Sequence, residues 1–190
     1  DGKLLRGASG AFANLGHYTL DPLGPMCSCG NSGCLETYFS IRAIEAEAAA
    51  LVRRGASVRW AEYAPSCEEI FQAAGEGDPA AGWIVERAIR YLEGALAGLV
   101  LTFDPEVVVL GGPLSLAGDL LFRPLSAAVS ARTSGILRRS VPIVKAQVAD
   151  VSGVLGAAAL CVAPEQGAPE TGWMQGARSW KRGSWKASAS

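Results

Sequence analysis

Four side chains that can ligate a metal ion lie close together near the start of the chain. They are His17, the only histidine, and Cys27, Cys29 and Cys34, three of the five cysteines. One imidazole and three thiolates form the donor set of a closed tetrahedral zinc site. Because such a set leaves no coordination position open, the pattern predicts a structural Zn²⁺ ion and not a catalytic one. The alternative is a surface histidine with three unrelated free thiols.

The glycines of this segment favour the metal-binding interpretation. Gly30 and Gly33 lie between the second and the last cysteine. Glycine adopts positive φ angles without strain, so tight turns at these positions would bring three sulfur atoms around one point. We refer to residues 17–34 as the knuckle, and we expect its folding and its metal binding to be coupled.

Composition restricts the classes of protein that fit this sequence. The chain has 190 residues, of which 49% are hydrophobic and 18% charged, so a sizeable core is expected. The net charge of −1 argues against a broad surface for nucleic acid. Cys67 and Cys161 lie in apolar contexts and indicate buried free thiols, with a disulfide as the alternative. Free thiols beside a zinc knuckle predict a cytoplasmic protein, and no segment has the form of a signal peptide or a membrane span.

The first half of the sequence predicts two helices after the knuckle. A glycine-punctuated opening at 3–13 indicates a hairpin that leads into a strand at 15–20. Apolar residues at helical spacing predict a helix over 35–54. Ser66 and Glu69 form a capping box, which predicts a short helix that continues to about residue 74.

The longest predicted helix covers 78–102, with Asp78 as its N-cap. Gly94 and Gly98 lie on one face of this helix, where we expect them to let another backbone approach closely. A run of valines then predicts a fully buried strand at 106–110. Beyond it the sequence predicts a helix from about 115 or 118 to 131, bent or restarted at Pro124.

The remaining elements complete an α/β pattern. A strand is predicted at 141–147 and a helix of small residues at 153–162, so helices and strands alternate after residue 78. Residues 163–190 are rich in proline, glycine and serine, and predict a disordered tail. The alternative for this tail is a partner-binding segment, because Trp173, Trp180 and Trp185 lie among basic residues.

Several of these motifs together resemble the ROK family of sugar kinases and sugar-responsive repressors. The resemblance begins with Gly16-His17 and continues through Cys27-x-Cys29-Gly30 to Gly33-Cys34-Leu35-Glu36, with Ser40 four residues later. It extends through Gly-Asp-Pro at 77–79, the valine-rich strand ending in Gly-Gly at 111–112, and Gly-Val-Leu-Gly at 153–156. The similarity covers roughly residues 1–162.

The resemblance implies an actin-like, ribonuclease-H-like fold of two α/β lobes with the sugar bound between them. Residues 1–162 would form the C-terminal lobe with its inserted zinc knuckle, and the N-terminal lobe is absent. His17 would lie at the sugar as well as on the metal, and Glu36 would accept hydrogen bonds from sugar hydroxyls. Gly111 and Gly112 would lie near the nucleotide. The alternatives are a helix-start carboxylate for Glu36 and a tight strand-to-helix turn for the two glycines.

Two departures from the family pattern bear on function. Shortly before Gly-His the family usually has Gly-Glu, and here those places hold Ala13 and Asn14. The glutamate is a sugar ligand in the family, so Asn14 is a candidate sugar-binding residue with altered chemistry. The sequence also lacks an Asp-x-Gly-x-Thr phosphate loop and the lobe that supplies the catalytic aspartate. We therefore assign no catalytic residue and expect no sugar phosphorylation by this chain alone.

Three functions remain open at this stage. The first is the sugar-binding and oligomerisation part of a transcriptional regulator, which would bind DNA only through an absent N-terminal helix-turn-helix. The second is the C-terminal half of an ATP-dependent hexose or aminosugar kinase that uses Mg²⁺. The third is a decayed fragment. The sequence favours the regulator, because the unbroken Asp21-Pro22-x-Gly24-Pro25 segment in the knuckle resembles the regulators of the family more than its kinases. Asn14 also suits a protein that senses sugar without converting it. For either function, the resemblance implies a homo-oligomer.

Overall fold

The computed structural model of this chain falls into two units, Asp1–Asp150 and Val151–Ser190. The residues that it describes are 5, 7–9, 13–56, 59–60, 62–148 and 151–162. Most of the hairpin predicted at 3–13, the tail predicted at 163–190 and the side chain of Cys161 lie outside these residues. The domain boundary at residue 162 stays a prediction.

The first unit is built from helices that pack on one long helix, with a small parallel sheet beside them. In chain order its helices and strands are α1 (Ile41–Arg53), α2 (Cys67–Gly75), α3 (Pro79–Phe103), β1 (Val108–Leu110), α4 (Asp119–Leu137) and β2 (Ile143–Lys145). Short 3-10 turns lie at Leu15–His17, Leu35–Thr37 and Pro113–Ala117. The second unit contains α5 (Ser152–Val162). Within the described ranges, none of the helices combines the length and the apolar character needed to cross a bilayer.

Side-chain caps determine where the first three helices begin. Oγ of Ser40 accepts a hydrogen bond of 3.1 Å from the amide three residues later and starts α1. Ser66 and Glu69 form the reciprocal capping box that the sequence predicts at α2. Asp78 caps α3 through its Oδ1, again by accepting from the amide three residues later. Each such cap stabilises its helix by about 1 kcal/mol.

The core lies around α3, which packs against α1, α2 and α4. The apolar stripe predicted for this helix is buried, and its larger members are Ile84, Val85, Ile89, Leu92, Leu96 and Val100. Ile44 from α1 and Leu125 from α4 complete the contact. Full burial stabilises the fold by about 1.5–3 kcal/mol for each large aliphatic side chain.

The sheet consists of two parallel strands among the described residues. Val108 of β1 pairs with Ile143 of β2, and Leu110 pairs with Lys145. Parallel neighbours need a crossover connection, which α4 supplies between the two strands. The strand burial differs from expectation, because Val109 is 52% exposed where the sequence predicts a fully buried strand. One face of β1 is left uncovered by the described part of the chain.

The strand predicted at 15–20 is wrong. The chain forms a 3-10 turn at Leu15–His17, in which the last amide donates to the carbonyl of Asn14 at 3.0 Å. Because this turn uses the amide locally, the strand pairing is reduced to one isolated bridge between Thr19 and Cys34. The segment therefore approaches the cysteines as a turn.

Two helix predictions need corrected boundaries. The helix predicted over 35–54 is interrupted, because Ser40 has an extended backbone and caps a new helix that begins at Ile41. The helix predicted to end at 131 continues to Leu137, and Pro124 lies inside it without a break in the assigned helix. An αL residue, Arg138, ends it.

The close approach predicted at Gly94 and Gly98 is also wrong for the described part of the chain. Apart from the backbone of the helix itself, no described atom lies within 4 Å of a Cβ built on either glycine. The α2 and α4 contacts of α3 are made by its other faces, through residues such as Leu92 and Leu96.

Candidate metal centre

The knuckle folds back on itself through a series of backbone hydrogen bonds. The amide of Leu20 donates to the carbonyl of Gly33 at 2.8 Å, and the amide of Gly33 donates to the carbonyl of Pro25 at 2.7 Å. Further along, the amide of Cys27 donates to the carbonyl of Asn31 at 2.7 Å. These bonds bring the start and the end of the knuckle together.

Two glycines of the knuckle have positive φ angles. Gly33 has φ +63°, and a Cβ there would lie 1.6 Å from the carbonyl oxygen of Asp21. Gly30 has φ +93° with open space around it, so only its backbone angle favours glycine. Both turns predicted from the spacing of the glycines are confirmed.

The turns bring the four predicted ligands together. His17, Cys27, Cys29 and Cys34 each offer a ligand atom, and these atoms all lie within 4.8 Å of one another. Sγ of Cys29 lies 3.7 Å from Sγ of Cys34, and Sγ of Cys27 lies 3.5 Å from Nδ1 of His17. Cys27 and Cys34 are buried, whereas Cys29 is exposed.

These separations fit a tetrahedral metal site. With bonds of about 2.3 Å to sulfur and about 2.0 Å to nitrogen, ligand atoms of a zinc tetrahedron stand about 3.5–3.8 Å apart. The two separations given above match those edges. All three thiols of the knuckle are free, and a disulfide would instead need sulfur atoms about 2 Å apart. The cluster can therefore hold a metal ion, and its soft donors suit zinc.

The surroundings of the cluster shift the pKa values of the Cys27 and Cys34 thiols in opposite directions. A hydrogen bond from the backbone of Cys29 lowers the pKa of the Cys27 thiol to about 7. Burial raises the pKa of the Cys34 thiol to about 11, and the neighbouring thiolates add to this. At neutral pH the Cys34 thiol keeps its proton, so a metal ion bound at this cluster would have to displace that proton.

Glu36 lies two residues after the end of the knuckle and beside its histidine. Oε2 of Glu36 lies 3.7 Å from Nδ1 of His17, and the two side chains are 48% and 32% exposed. A carboxylate in this place can accept two hydrogen bonds from a ligand. The 3-10 turn that contains Glu36 has only three residues, so the helix dipole available to this carboxylate is small.

Asn14 and Ala13 lie at the entrance to the knuckle. The carbonyl of Asn14 accepts the His17 amide at 3.0 Å, while its exposed side chain makes no capping bond to the turn. Ala13 has φ +59°, a conformation that glycine adopts far more easily. The alanine at this position is therefore strained.

Gly111 and Gly112 form the turn at the end of β1. Gly112 has φ +82° and precedes the 3-10 turn at Pro113–Ala117. Its carbonyl accepts the amide of Ser115 at 3.1 Å and the hydroxyl of Ser115 at 2.7 Å. The tight strand-to-helix turn is therefore present, and a nucleotide-binding role stays a prediction.

The sequence analysis missed Tyr38, which ties the knuckle to the core. Tyr38 is 4% exposed, its hydroxyl donates to Oδ2 of Asp21 at 3.2 Å, and its ring stacks on that of Tyr91 with centroids 3.6 Å apart. Burial raises the pKa of Tyr38 above the ordinary range of a tyrosine. A large aromatic side chain two residues after Glu36 was the only available signal.

Comparison with known proteins identifies the family. A model of the ROK family matches residues 1–163. The chain belongs to the ROK family. This confirms the family resemblance that the knuckle motif indicates, and it places the His-Cys cluster within a known type of domain.

Among curated ROK proteins, both kinases and regulators are similar to this chain. It is 36% identical over 164 residues to a glucokinase of Thermotoga maritima, covering 84% of this chain and 52% of that protein. It is 29% identical over 160 residues to the DNA-binding transcriptional dual regulator NagC of Escherichia coli, covering 84% of this chain and 39% of the regulator. The chain thus spans about half the length of the glucokinase and less of the regulator.

Solved ROK structures share the fold of the described region. A ROK hexokinase from Thermus thermophilus superposes with a TM-score of 0.70 at 37% identity, over 83% of this chain and 51% of the hexokinase. A ROK glucokinase from Streptomyces griseus, solved with glucose and AMPPNP, gives a TM-score of 0.70 at 32% identity, over 83% and 54%. A ROK family transcriptional regulator homologous to the E. coli MLC protein gives a TM-score of 0.68 at 32% identity, over 76% of this chain and 37% of the regulator. The chain therefore has a helix-rich part of the ROK fold.

Proposed function

We propose that this chain is the sugar-binding half of an ATP-dependent ROK kinase that acts on a hexose or an aminosugar, and that it is inactive alone. Identity to the glucokinase exceeds identity to the regulator, and the structural comparisons give the same order. This order favours a kinase over the regulator that the sequence alone favours.

The observation that carries the proposal is the pairing of Glu36 with His17. A sugar presents several hydroxyls, and a half-exposed carboxylate 3.7 Å from a partly exposed imidazole offers acceptors for two of them. In our proposal Glu36 binds the sugar hydroxyls and His17 contributes at the same site. Asn14 offers an amide in place of a carboxylate there, and we expect weaker or altered sugar selection as a result.

The proposed cofactor of the knuckle is Zn²⁺, bound by His17, Cys27, Cys29 and Cys34. Bound there, the ion would serve as a structural cross-link between these four side chains, with no open coordination position for chemistry on the sugar. Cys34 would give up its proton to such an ion, and the 3-10 turn after the knuckle presents Glu36. Fixing a binding carboxylate on a cross-linked loop reduces its freedom before the sugar arrives.

The nucleotide half of the proposal depends on parts beyond this chain. Gly111 and Gly112 follow β1, as expected for backbone that lies close to the phosphates of ATP with its Mg²⁺. The parallel β1–α4–β2 unit is compatible with one part of an actin-like lobe. Phosphoryl transfer needs a base and a phosphate loop, which we expect from an N-terminal lobe.

A sugar-responsive regulator is the second candidate, and Asn14 favours it. An amide can bind a sugar hydroxyl without the paired acceptors of a carboxylate, which suits sensing more than turnover. Such a protein would form a homo-oligomer and reach DNA through an N-terminal domain that this chain does not contain.

The test uses the whole protein from its native source, assayed for ATP consumption with glucose and N-acetylglucosamine. A kinase consumes ATP with one of the sugars, and the 190-residue chain binds that sugar without consuming ATP. Sugar-dependent release from DNA without ATP consumption would replace the kinase with the regulator. If neither the whole protein nor the chain binds a sugar, both candidates are wrong and a decayed fragment remains.

A further inference from the structure

Tyr38 reaches from the helical core into the knuckle. Its ring lies parallel to that of Tyr91 on α3, with centroids 3.6 Å apart and planes within 10°. Its hydroxyl donates to Oδ2 of Asp21, which is a knuckle residue, at 3.2 Å. Since Tyr38 follows the knuckle in the chain and stacks on α3, this bond joins the loop to the core.

A positively charged side chain also contacts the ring of Tyr38. The guanidinium of Arg87 lies 5.5 Å from the Tyr38 ring centroid and 5.6 Å from that of Tyr91. Arg87 also forms an ion pair of 3.1 Å with Glu47 on α1. Cation–π contacts in a partly buried site each contribute about 1 kcal/mol. The hydroxyl is therefore presented by a side chain with little freedom to move.

Around the hydroxyl the knuckle is packed without spare room. A Cβ on Gly24 would lie 2.0 Å from the Tyr38 hydroxyl, and a Cβ on Gly33 would lie 1.6 Å from the carbonyl oxygen of Asp21. The Asp21 amide also donates to the carbonyl of Gly33 at 3.3 Å. Because Gly33 directly precedes Cys34, a shift of Asp21 must displace the most deeply buried ligand of the cluster.

We infer that Tyr38 is a positioning residue of the metal knuckle, which acts through its hydrogen bond to Asp21 to set where Cys34 meets the other three ligands. The inference rests on the metal site of the proposed function. Residues that orient ligands from outside the coordination shell alter metal affinity by about 10–100-fold when they are changed. Tyr38 would act one step further out than such residues, because its hydroxyl donates to Asp21, whose amide bonds the carbonyl of Gly33 next to Cys34. We therefore expect an effect at the lower end of that range.

The test is a Co²⁺ titration of the full chain under reducing conditions, with Co²⁺ as the spectroscopic probe for the zinc site. The variants are Tyr38→Phe, which keeps the ring and loses the hydroxyl, Asp21→Ala and the double variant. Tyr18→Phe is the matched control, because Tyr18 lies in the knuckle and is 59% exposed. The dissociation constant and the visible d–d band of bound Co²⁺ are recorded for each, together with urea unfolding.

We expect each single variant to raise the Co²⁺ dissociation constant about tenfold and to shift the d–d band. Asp21→Ala also removes the acceptor of the Leu23 amide, which Tyr38→Phe leaves in place. The double variant should therefore resemble Asp21→Ala and fall well short of the product of the two single effects, since the Tyr38–Asp21 hydrogen bond is already lost in either one. A loss of global stability alone would leave the band unchanged. If Tyr38→Phe fails to fold, Asp21→Ala tests the loss of the same hydrogen bond together with the loss of the Leu23 amide's acceptor.

Two results would overturn the inference. One is a Tyr38→Phe protein with the affinity and spectrum of the Tyr18→Phe control. The other is full additivity in the double variant, which would mean that the two residues act separately. Failure of the unchanged chain to bind Co²⁺ would overturn the metal site itself, and the first titration reveals that before any variant is compared.

Discussion

Oε2 of Glu36 lies 3.7 Å from Nδ1 of His17, so the residue that follows the knuckle faces the histidine that begins it. The two are brought together by the return of the chain between them, through the bridge of Thr19 with Cys34. One residue of this pair is a candidate metal ligand and the other a candidate sugar ligand. Metal binding and sugar binding are therefore expected to depend on the same loop.

Replacing Cys29 by alanine tests whether a metal holds the knuckle. Cys29→Ala should lose bound zinc and, with it, several kcal/mol of the free energy of unfolding, because metal binding and folding are coupled. Zinc content by mass spectrometry and urea unfolding measure the two effects. Full zinc occupancy together with unchanged stability would contradict a structural metal.

The control for that change is Cys67→Ala at the start of α2. Cys67 is also buried and free, and burial raises the pKa of its thiol to about 12, but it lies outside the cluster. Cys67→Ala should keep the zinc and lose only the packing of one sulfur atom, about 1 kcal/mol.

The two positive-φ glycines of the knuckle give a matched pair. Gly33→Ala places a Cβ against the carbonyl of Asp21, whereas Gly30→Ala places it in open space at a similar backbone angle. Both variants pay about 1–2 kcal/mol of backbone strain, and only Gly33→Ala must also deform the loop. The zinc content and the unfolding temperature should therefore both fall for Gly33→Ala. Gly30→Ala should keep its zinc and lower the unfolding temperature only by the amount that the backbone strain accounts for. Equal effects would show that the close contact at Gly33 is unimportant.

Ala13→Gly should stabilise the protein. At φ +59° alanine is strained by about 1–2 kcal/mol, and glycine removes this at an entropic cost of about 0.5–1 kcal/mol. A net gain of about 0.5–1 kcal/mol in the free energy of unfolding is expected from urea denaturation. Ala46→Gly in the middle of α1 is the control, since the same chemical change at an exposed helical position should there destabilise by about 1 kcal/mol. Destabilisation by both would refute the strain at Ala13.

The buried hydroxyl of Tyr38 predicts an alkaline loss of stability. Burial raises the pKa of Tyr38 above its ordinary value of 10.0, so above that pH the unfolded chain binds fewer protons than the folded chain. The contribution of the protonated Tyr38 hydroxyl to the free energy of unfolding is therefore fully present below pH 10 and is lost as the pH rises beyond it. When urea unfolding is measured at several pH values above 10, the free energy of unfolding should decline less steeply with pH for Tyr38→Phe than for the unchanged protein. Exposed Tyr18→Phe is the control, and identical slopes for all three would contradict the prediction.

Local signals predict much of the fold. Both α2 and α3 could be predicted from the sequence, because their signals lie within short segments of it. These signals are the caps at Ser66 and Asp78 and the helical spacing of the apolar residues in α3. The strand predicted at 15–20 failed because the amides there are used by a turn that serves the knuckle. The exposure of Val109 could not be predicted, since composition does not tell how many layers cover a strand.

Some features of the candidate site could likewise be predicted from the sequence, and others could not. The ligand types and spacing predict the meeting of His17 with Cys27, Cys29 and Cys34 because one short segment contains them all. The stack of Tyr38 on Tyr91 could not be predicted, since it joins residues far apart in the sequence whose partnership no local pattern encodes. The positive φ of Ala13 was likewise hidden, because alanine gives no sign of an unusual backbone.

The most direct test of this account is a calorimetric titration of the zinc-loaded full chain with glucose and with N-acetylglucosamine. The unchanged chain should bind one of them, and Glu36→Gln should weaken that binding at least about tenfold through loss of a charged acceptor. Zinc content should be unaffected. Glu68→Gln in the first turn of α2 should bind like the unchanged chain. Equal sugar affinity in Glu36→Gln and the unchanged chain, or no binding of either sugar by the unchanged chain, would contradict sugar binding at the knuckle.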